Sequence, residues 1–411
     1  MLRRGAARIA EYEFWLLWVF AVPLLFASNL PFPILLGALG TVPLFWLARR
    51  IARGAWSVST PLDLPLALLL CLGIVGIAVS NERQTSLRLY AELVGGVALY
   101  YGIVNGMTTT RVERGAWVLV ALGIGMGVTG LAGLRYSEKF LEIPLIYQYL
   151  PKYDFSFLNP RGFTPNIVAG ALAPLAVFTF GLGMTQTPTR RFFLLLLAFF
   201  FLAVVTLTQS RGALAGIVAA VGIVLLLWLR HSRWLLPLIL IGMIAIVALF
   251  SLTNFVNEIL VNESSASATE RLELWDRSAQ IMRDFPFTGI GIGTFEPTVR
   301  TLYPLLQSNP GAPQPHAHNF YLQMGLDYGI GGMVAYLGLV TGAVLAGWRA
   351  VVRTPRTDCQ WLALALVGGY LVFLIHSLLD AVGVSTKVST VIWFLLGLLI
   401  AYNAREKQHT V

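Results

Sequence analysis

Runs of about twenty mostly apolar residues succeed one another along this chain, and that length is what an α-helix needs to cross the hydrocarbon core of a bilayer. Twelve can be marked: 12–28, 32–48, 64–80, 88–106, 116–134, 166–184, 192–208, 212–229, 234–252, 320–347, 361–378 and 388–403. Charged residues make up 12% of the 411, against about 25% in a soluble domain. Lipid is then the main solvent, and the reading is an all-α polytopic membrane protein with about 12 transmembrane helices. The first apolar run follows Arg3, Arg4 and Arg8 and leads almost directly into the second through Asn29-Leu30-Pro31. It reads as an uncleaved span, not a removed signal peptide.

Arginines orient the spans. With the N-terminus in the cytoplasm, the inward segments hold 17 of the 29 basic residues, nearly all in short loops such as Arg49-Arg50-Ile51-Ala52-Arg53 and Arg190-Arg191. Short-loop arginines set orientation, so both termini are expected in the cytoplasm. The net charge of +9 is therefore read as topology signals and contacts with membrane lipids, not as a nucleic-acid surface. Cys71 and Cys359 fall in or beside separate apolar stretches, and no disulfide is expected.

This layout divides the chain into residues 1–252, with nine spans and an outward loop near 135–165; 253–319, a large outward loop; and 320–411, with three spans and a cytoplasmic tail. Within the large loop, Ser267-Ala268-Thr269-Glu270 has the form of a capping box. An amphipathic helix to about Phe285 should follow, with Leu272, Trp275, Ala279 and Met282 on one face. Pro286 should end it. Gly289-Ile290-Gly291-Ile292-Gly293 should turn tightly, and prolines 304, 310, 313 and 315 should keep the remainder irregular.

Chemistry concentrates where this loop re-enters the membrane, at His316-Ala317-His318-Asn319. Three readings compete for these histidines. A neutral imidazole is a fit general base; His-X-His is a metal-binding spacing, though no third ligand stands at a convincing interval; and either residue could be structural. Arginines surround the loop on the outward side. Arg161 lies in the first long loop, Arg211 between two spans in Ser210-Arg211-Gly212, and Arg271 on the amphipathic helix. Guanidinium groups bind phosphate through paired, charge-assisted hydrogen bonds. Arg277, Arg283 and Arg300 read as solvated or head-group contacts. Glu92 and Asp327 fall inside spans, where buried acids are often functional; an internal arginine partner or a near-interface position is the other reading, and the one preferred for Glu92. No Asp-X-Asp pair, Gly-Lys-Ser/Thr phosphate loop or Gly-X-Ser-X-Gly elbow occurs. An anionic substrate reaching an outward site is best supplied on a lipid.

His318-Asn319, nine residues and then Gly329-Ile330-Gly331-Gly332 resembles the His-Asn-X9-Gly-X-X-Gly motif of the O-antigen ligase family. Ser210-Arg211-Gly212, Gly289 to Phe295 and the placement of one large loop before the tenth span resemble it too. The resemblance covers about Asn159 to Asp380. It implies a GT-C-type glycosyltransferase fold and metal-independent transfer, with inversion and without a cofactor. The donor it implies is a glycan on undecaprenyl pyrophosphate, and the acceptor it implies is lipid A–core or another glycan. It implies a site on the periplasmic face of the bacterial inner membrane. By the motif, His318 takes the catalytic place, Arg211, Arg271 and Arg161 the donor pyrophosphate, and Asn319, His316 and Asp380 supporting places. The family contains ligases that attach finished O-antigen and polymerases that join repeat units, and the shared motif does not separate them. A transporter of anionic lipids or solutes, or a binding scaffold, would also fit the span count and outward arginines.

Overall fold

The computed structural model describes residues 3–10, 12, 31–106, 109–133, 149, 153, 163–229, 265–305, 313–354, 358–384 and 386–409. These residues are almost entirely helical, with no strand among them. The chain is an all-α polytopic membrane protein. Eight described helices are long and apolar enough to cross a membrane. In chain order the helices are α1 (Phe32–Gly40), α2 (Val42–Arg53), α3 (Asp63–Val79), α4 (Arg83–Gly106), α5 (Thr109–Gly133), α6 (Pro165–Met184) and α7 (Pro188–Thr208). There follow α8 (Arg211–Trp228), α9 (Ser265–Asp284), α10 (Phe295–Leu302), α11 (Phe320–Arg353), α12 (Asp358–Leu379) and α13 (Thr386–His409).

The span expected at 32–48 is instead two short helices. Gly40 and Pro43 bracket the break at Thr41, and a proline has no N–H to continue the ladder. The expected spans 12–28 and 234–252 lie outside the described residues, as do Arg161 and His231. The bundle centre is α6, packed between α7 and α12, with α8 against α12, α13 against α4 and α11 against α3. Ala169, Ala171 and Ala173 of α6 are fully enclosed, and their small side chains let neighbouring helices approach closely.

The large loop has a core of its own. Leu274, Ile281, Phe295 and Ala317 are completely buried together with Leu326 of α11, so the loop sits on that helix. Each such leucine, isoleucine or phenylalanine stabilises by about 1.5–3 kcal/mol relative to exposure. The expected face of α9 is corrected here. Leu272 is exposed, and the stripe that docks is Leu274, Ser278 and Ile281, flanked by Trp275 and Met282. Ser278 can occupy the buried stripe because its hydroxyl donates to the Leu274 carbonyl at 2.7 Å. The expected cap is also corrected. The backbone is already helical at Ser265, so Ser267 lies inside α9 and does not cap it. Pro286 follows the end of α9, and Gly289, Gly291 and Gly293 all have positive φ, forming the expected turn.

Gly329, the glycine that follows Asn319 after nine intervening residues, has φ 74 and ψ 179 and kinks α11. A Cβ there would stand 2.5 Å from the Phe287 carbonyl oxygen, so only glycine lets the helix meet the loop this closely. The contact is fastened by Ile330 N–H to the Pro286 carbonyl at 2.8 Å and Ile290 N–H to the Leu326 carbonyl at 2.8 Å.

Candidate active site

Asn319 starts α11 by accepting the N–H groups of Tyr321 and Leu322 on its side-chain oxygen, at 3.0 and 3.1 Å. This is an N-cap. Its amide donates to the Leu378 carbonyl at 3.1 Å, and the Tyr321 hydroxyl donates to the Leu374 carbonyl at 3.1 Å. The start of α11 is thereby stitched to the end of α12, and that puts His318 beside Asp380.

His318 Nδ1 lies 3.0 Å from Asp380 Oδ1, and His316 Nδ1 lies 3.8 Å from the same oxygen. The Ala381 N–H also donates to Asp380 Oδ1, at 2.8 Å, while the Asn166 amide donates to Oδ2. Asp380 is 4% exposed and surrounded by donors. Burial pushes its carboxyl up, but the His318 hydrogen bond and the charges of His316, His318 and His376 outweigh that and hold it well below the usual carboxylate range. An ionised Asp380 takes the proton of His318 Nδ1 as its hydrogen bond, which leaves Nε2 with a free lone pair. The His318 side chain is 26% exposed, so solvent or a substrate can reach the ring. His318 has φ 49, a left-handed conformation that is uncommon without glycine and gathers at functional sites.

His316 is different. Burial of its ring lowers its pKa to about 4, with Asp380 opposing and His318 adding to the lowering. Its Nδ1 receives the His318 N–H at 3.4 Å. Because the folded value lies below the ordinary 6.5, the folded state resists the proton. The stabilisation is complete above pH 6.5 and is lost as pH falls toward 4. Thermal unfolding in detergent should therefore fall in temperature across that window. His316→Gln should shrink the dependence, and a variant with an unchanged pH profile would contradict it.

His316, His318 and Asp380 together offer three metal-ligand atoms within 4.8 Å of one another. Sequence spacing showed no third ligand, because Asp380 comes from another helix 62 residues away. Tetrahedral zinc at about 2.0–2.2 Å from each ligand would separate two ligand atoms by roughly 3.4 Å. The 3.0 Å contact suits a hydrogen bond better, and 3.8 Å is longer than ligation would give.

Two further features were missed in the sequence. Asn166, at the start of α6, holds the second oxygen of Asp380 and carries no motif signal. His376, one turn before Asp380 on α12, is 1% exposed, and its Nδ1 has no partner among the described residues. Its Nε2 is 3.5 Å from the Ser210 hydroxyl. Gly212 presses on the same ring, where a Cβ would lie 2.9 Å from Cδ2. That close approach explains a glycine directly after Arg211.

Arg211 begins α8 and is exposed, with its neighbours against His376. Arg271 is half-buried on α9, and its charge is felt at His376. No carboxylate forms an ion pair with Arg271 among the described residues. Arg277, by contrast, is held by Glu273 at 3.8 Å, Asp276 at 4.0 Å and the Gln280 side chain at 3.2 Å, all on its own helix. Arg283 and Arg300 are exposed. Asp327 does not meet an arginine: its partners are the Gln323 amide at 2.9 Å and the Gly293 N–H at 3.3 Å.

Fold and site define a class, a polytopic helical membrane protein with a histidine–carboxylate pair where a folded loop meets the bundle. Residues 194–337 match the family model described as O-antigen ligase, which is what this stretch of the chain is similar to. No curated protein sequence matches the chain. The family match supports glycosyltransferase activity of the ligase or polymerase type in general, in a bacterial membrane protein. The matched stretch contains Arg211, Arg271 and His318; Asp380 and Asn166 lie beyond it, so their assignment rests on geometry.

Proposed function

We propose that the protein is a metal-independent, inverting glycosyltransferase of GT-C type that moves a glycan from undecaprenyl pyrophosphate to an acceptor sugar hydroxyl. In this reading it is an O-antigen ligase, and the acceptor is lipid A–core. The observation that carries it is the 3.0 Å pairing of His318 Nδ1 with a buried, ionised Asp380. That pairing is what a histidine base needs in order to present Nε2.

The acceptor oxygen attacks the anomeric carbon as His318 Nε2 takes its proton. The bond from that carbon to the pyrophosphate oxygen breaks, and the pyrophosphate leaves with the electron pair. Attack opposite the leaving group inverts the carbon. The imidazolium, stabilised by Asp380, then returns its proton to water. Arg211 and Arg271, with Arg161 from the first loop, balance charge on the departing pyrophosphate. A mostly apolar pocket lined by Phe320, Tyr336, Tyr370, Phe373 and Trp393, with Glu92 and Asp327 also on its wall, offers an apolar surface beside the site for isoprenoid chain. The site faces the periplasm from the inner membrane, with both chain termini in the cytoplasm.

The test is glycan transfer in proteoliposomes supplied with lipid-linked donor. Arg271→Ala should lower kcat by about 10²- to 10³-fold, as loss of one preorganised charge does elsewhere. Arg271→Lys should recover part of it, since charge returns without the paired donors. Equal turnover in all three proteins would remove Arg271 from the donor site. Product analysis after gene deletion separates ligase from polymerase: unattached long chains support the ligase, and capped single repeats overturn it.

A further inference from the structure

Ala317, between the two histidines, is completely buried, and the two peptide groups that flank it are each held. Its N–H donates to Gln323 Oε1 at 3.0 Å, and its carbonyl accepts Trp275 Nε1–H at 3.0 Å. The other end of the Gln323 amide donates to Asp327 Oδ1 at 2.9 Å, and the same oxygen accepts the Gly293 N–H at 3.3 Å. Gln323 and Asp327 are one turn apart on α11 and are 2% and 4% exposed.

We propose that Gln323 is a positioning residue for His318, oriented by Asp327 as its anchor. The proposal rests on the reading of His318 as the base. An amide alone could face either way, but Asp327 Oδ1 already accepts the Gly293 N–H and takes the amide N–H₂ as its second donor. The Gln323 oxygen is thereby turned toward the Ala317 N–H. Gln323 then fixes the His316–Ala317 peptide and Trp275 the Ala317–His318 peptide, and the two together hold the left-handed backbone that His318 adopts at φ 49. The same carboxylate ties the clamp to the Gly289–Gly293 turn and so to the loop that bears Arg271. Base and donor arginine are thus set in register by one buried chain of hydrogen bonds. Such a chain acts strongly in a low dielectric and fails when one member is lost.

The experiment uses the full chain in proteoliposomes with lipid-linked donor. Gln323→Met keeps length and apolar volume but loses both bonds. It should lower kcat by about 10- to 10²-fold, the scale of a small misplacement of a reacting group, with the donor KM nearly unchanged. Gln323→Glu sets a second carboxylate against Asp327 and should be as impaired. Adding Asp327→Asn should restore part of the activity. The introduced asparagine then donates its N–H₂ to the introduced glutamate, while the Gly293 N–H loses the acceptor it shared with Gln323 on Oδ1, so the rescue is partial. The glutamate in turn still accepts the Ala317 N–H. Rescue by this exchange is not expected of a residue that only fills space. An independent readout is the ¹⁵N spectrum of labelled histidine rings, where the His318 signals, identified by their loss in His318→Asn, should shift in Gln323→Met. Wild-type-like kcat and unchanged ring signals in folded Gln323→Met, or no rescue in the double variant, would overturn the proposal. If wild-type protein transfers no glycan, the functional reading fails, and the ring signals still decide whether Gln323 positions His318.

Discussion

Asp380→Asn is expected to lower glycan transfer by about 10²- to 10⁴-fold while leaving the bundle folded. The substitution changes no volume, so the loss must come from protons and charge. Asp380 accepts His318 Nδ1–H and the Ala381 N–H on one oxygen and the Asn166 amide on the other. Asparagine replaces one of these acceptors with a donor. With its N–H₂ toward His318, the imidazole must move its proton to Nε2, and the lone pair that takes the acceptor's proton is gone. With its N–H₂ toward Asn166, two donors face each other until Asn166 turns its own amide. Even then the negative charge that stabilises the imidazolium is missing. The expected signature is a fall in kcat with a nearly constant donor KM, because Asp380 holds the base and not the pyrophosphate. A variant that transfers glycan as fast as wild type would show that the His318–Asp380 pair has no part in proton transfer.

Replacing His318 itself should cost as much, and the choice of replacement matters. Alanine strips a donor from a buried carboxylate, which costs about 1–3 kcal/mol of stability and confounds folding with chemistry. Asparagine is the better probe. It tolerates positive φ better than most residues, and its amide N–H can replace His318 Nδ1–H opposite Asp380. It cannot accept a proton at neutral pH. His318→Asn should therefore keep its thermal stability near wild type and lose about 10²- to 10⁴-fold in kcat.

The membrane character, the order of most spans and the turn after Pro286 were legible because they follow from local pattern: apolar run length, a proline stop, glycines at short intervals. What depends on partners from distant segments was not. Leu272 looked like part of the docking face because its spacing to Trp275 and Ala279 is helical; the true stripe runs through Ser278, whose polarity disguises it until its hydroxyl is seen bonded to Leu274. Ser267-Ala268-Thr269-Glu270 fits a cap in pattern, yet the chain is already helical two residues earlier. Asp327 invited an arginine partner and found two amide donors. The third group beside the histidines could not be read from spacing, since Asp380 reaches them only because α11 and α12 pack together. His318 was singled out from its motif and loop position. Nothing in that motif reveals that Gln323, within it, clamps the backbone next to the base.

The most direct measurement is steady-state glycan transfer by wild type and His318→Asn in chelator-washed proteoliposomes carrying lipid-linked donor. A base acting through His318 predicts wild-type turnover unaffected by the chelator, and a folded variant slower by about 10²- to 10⁴-fold. Near-normal turnover in the folded variant would contradict it. So would wild-type activity abolished by the chelator and restored by a divalent metal, because His316, His318 and Asp380 would then be ligands.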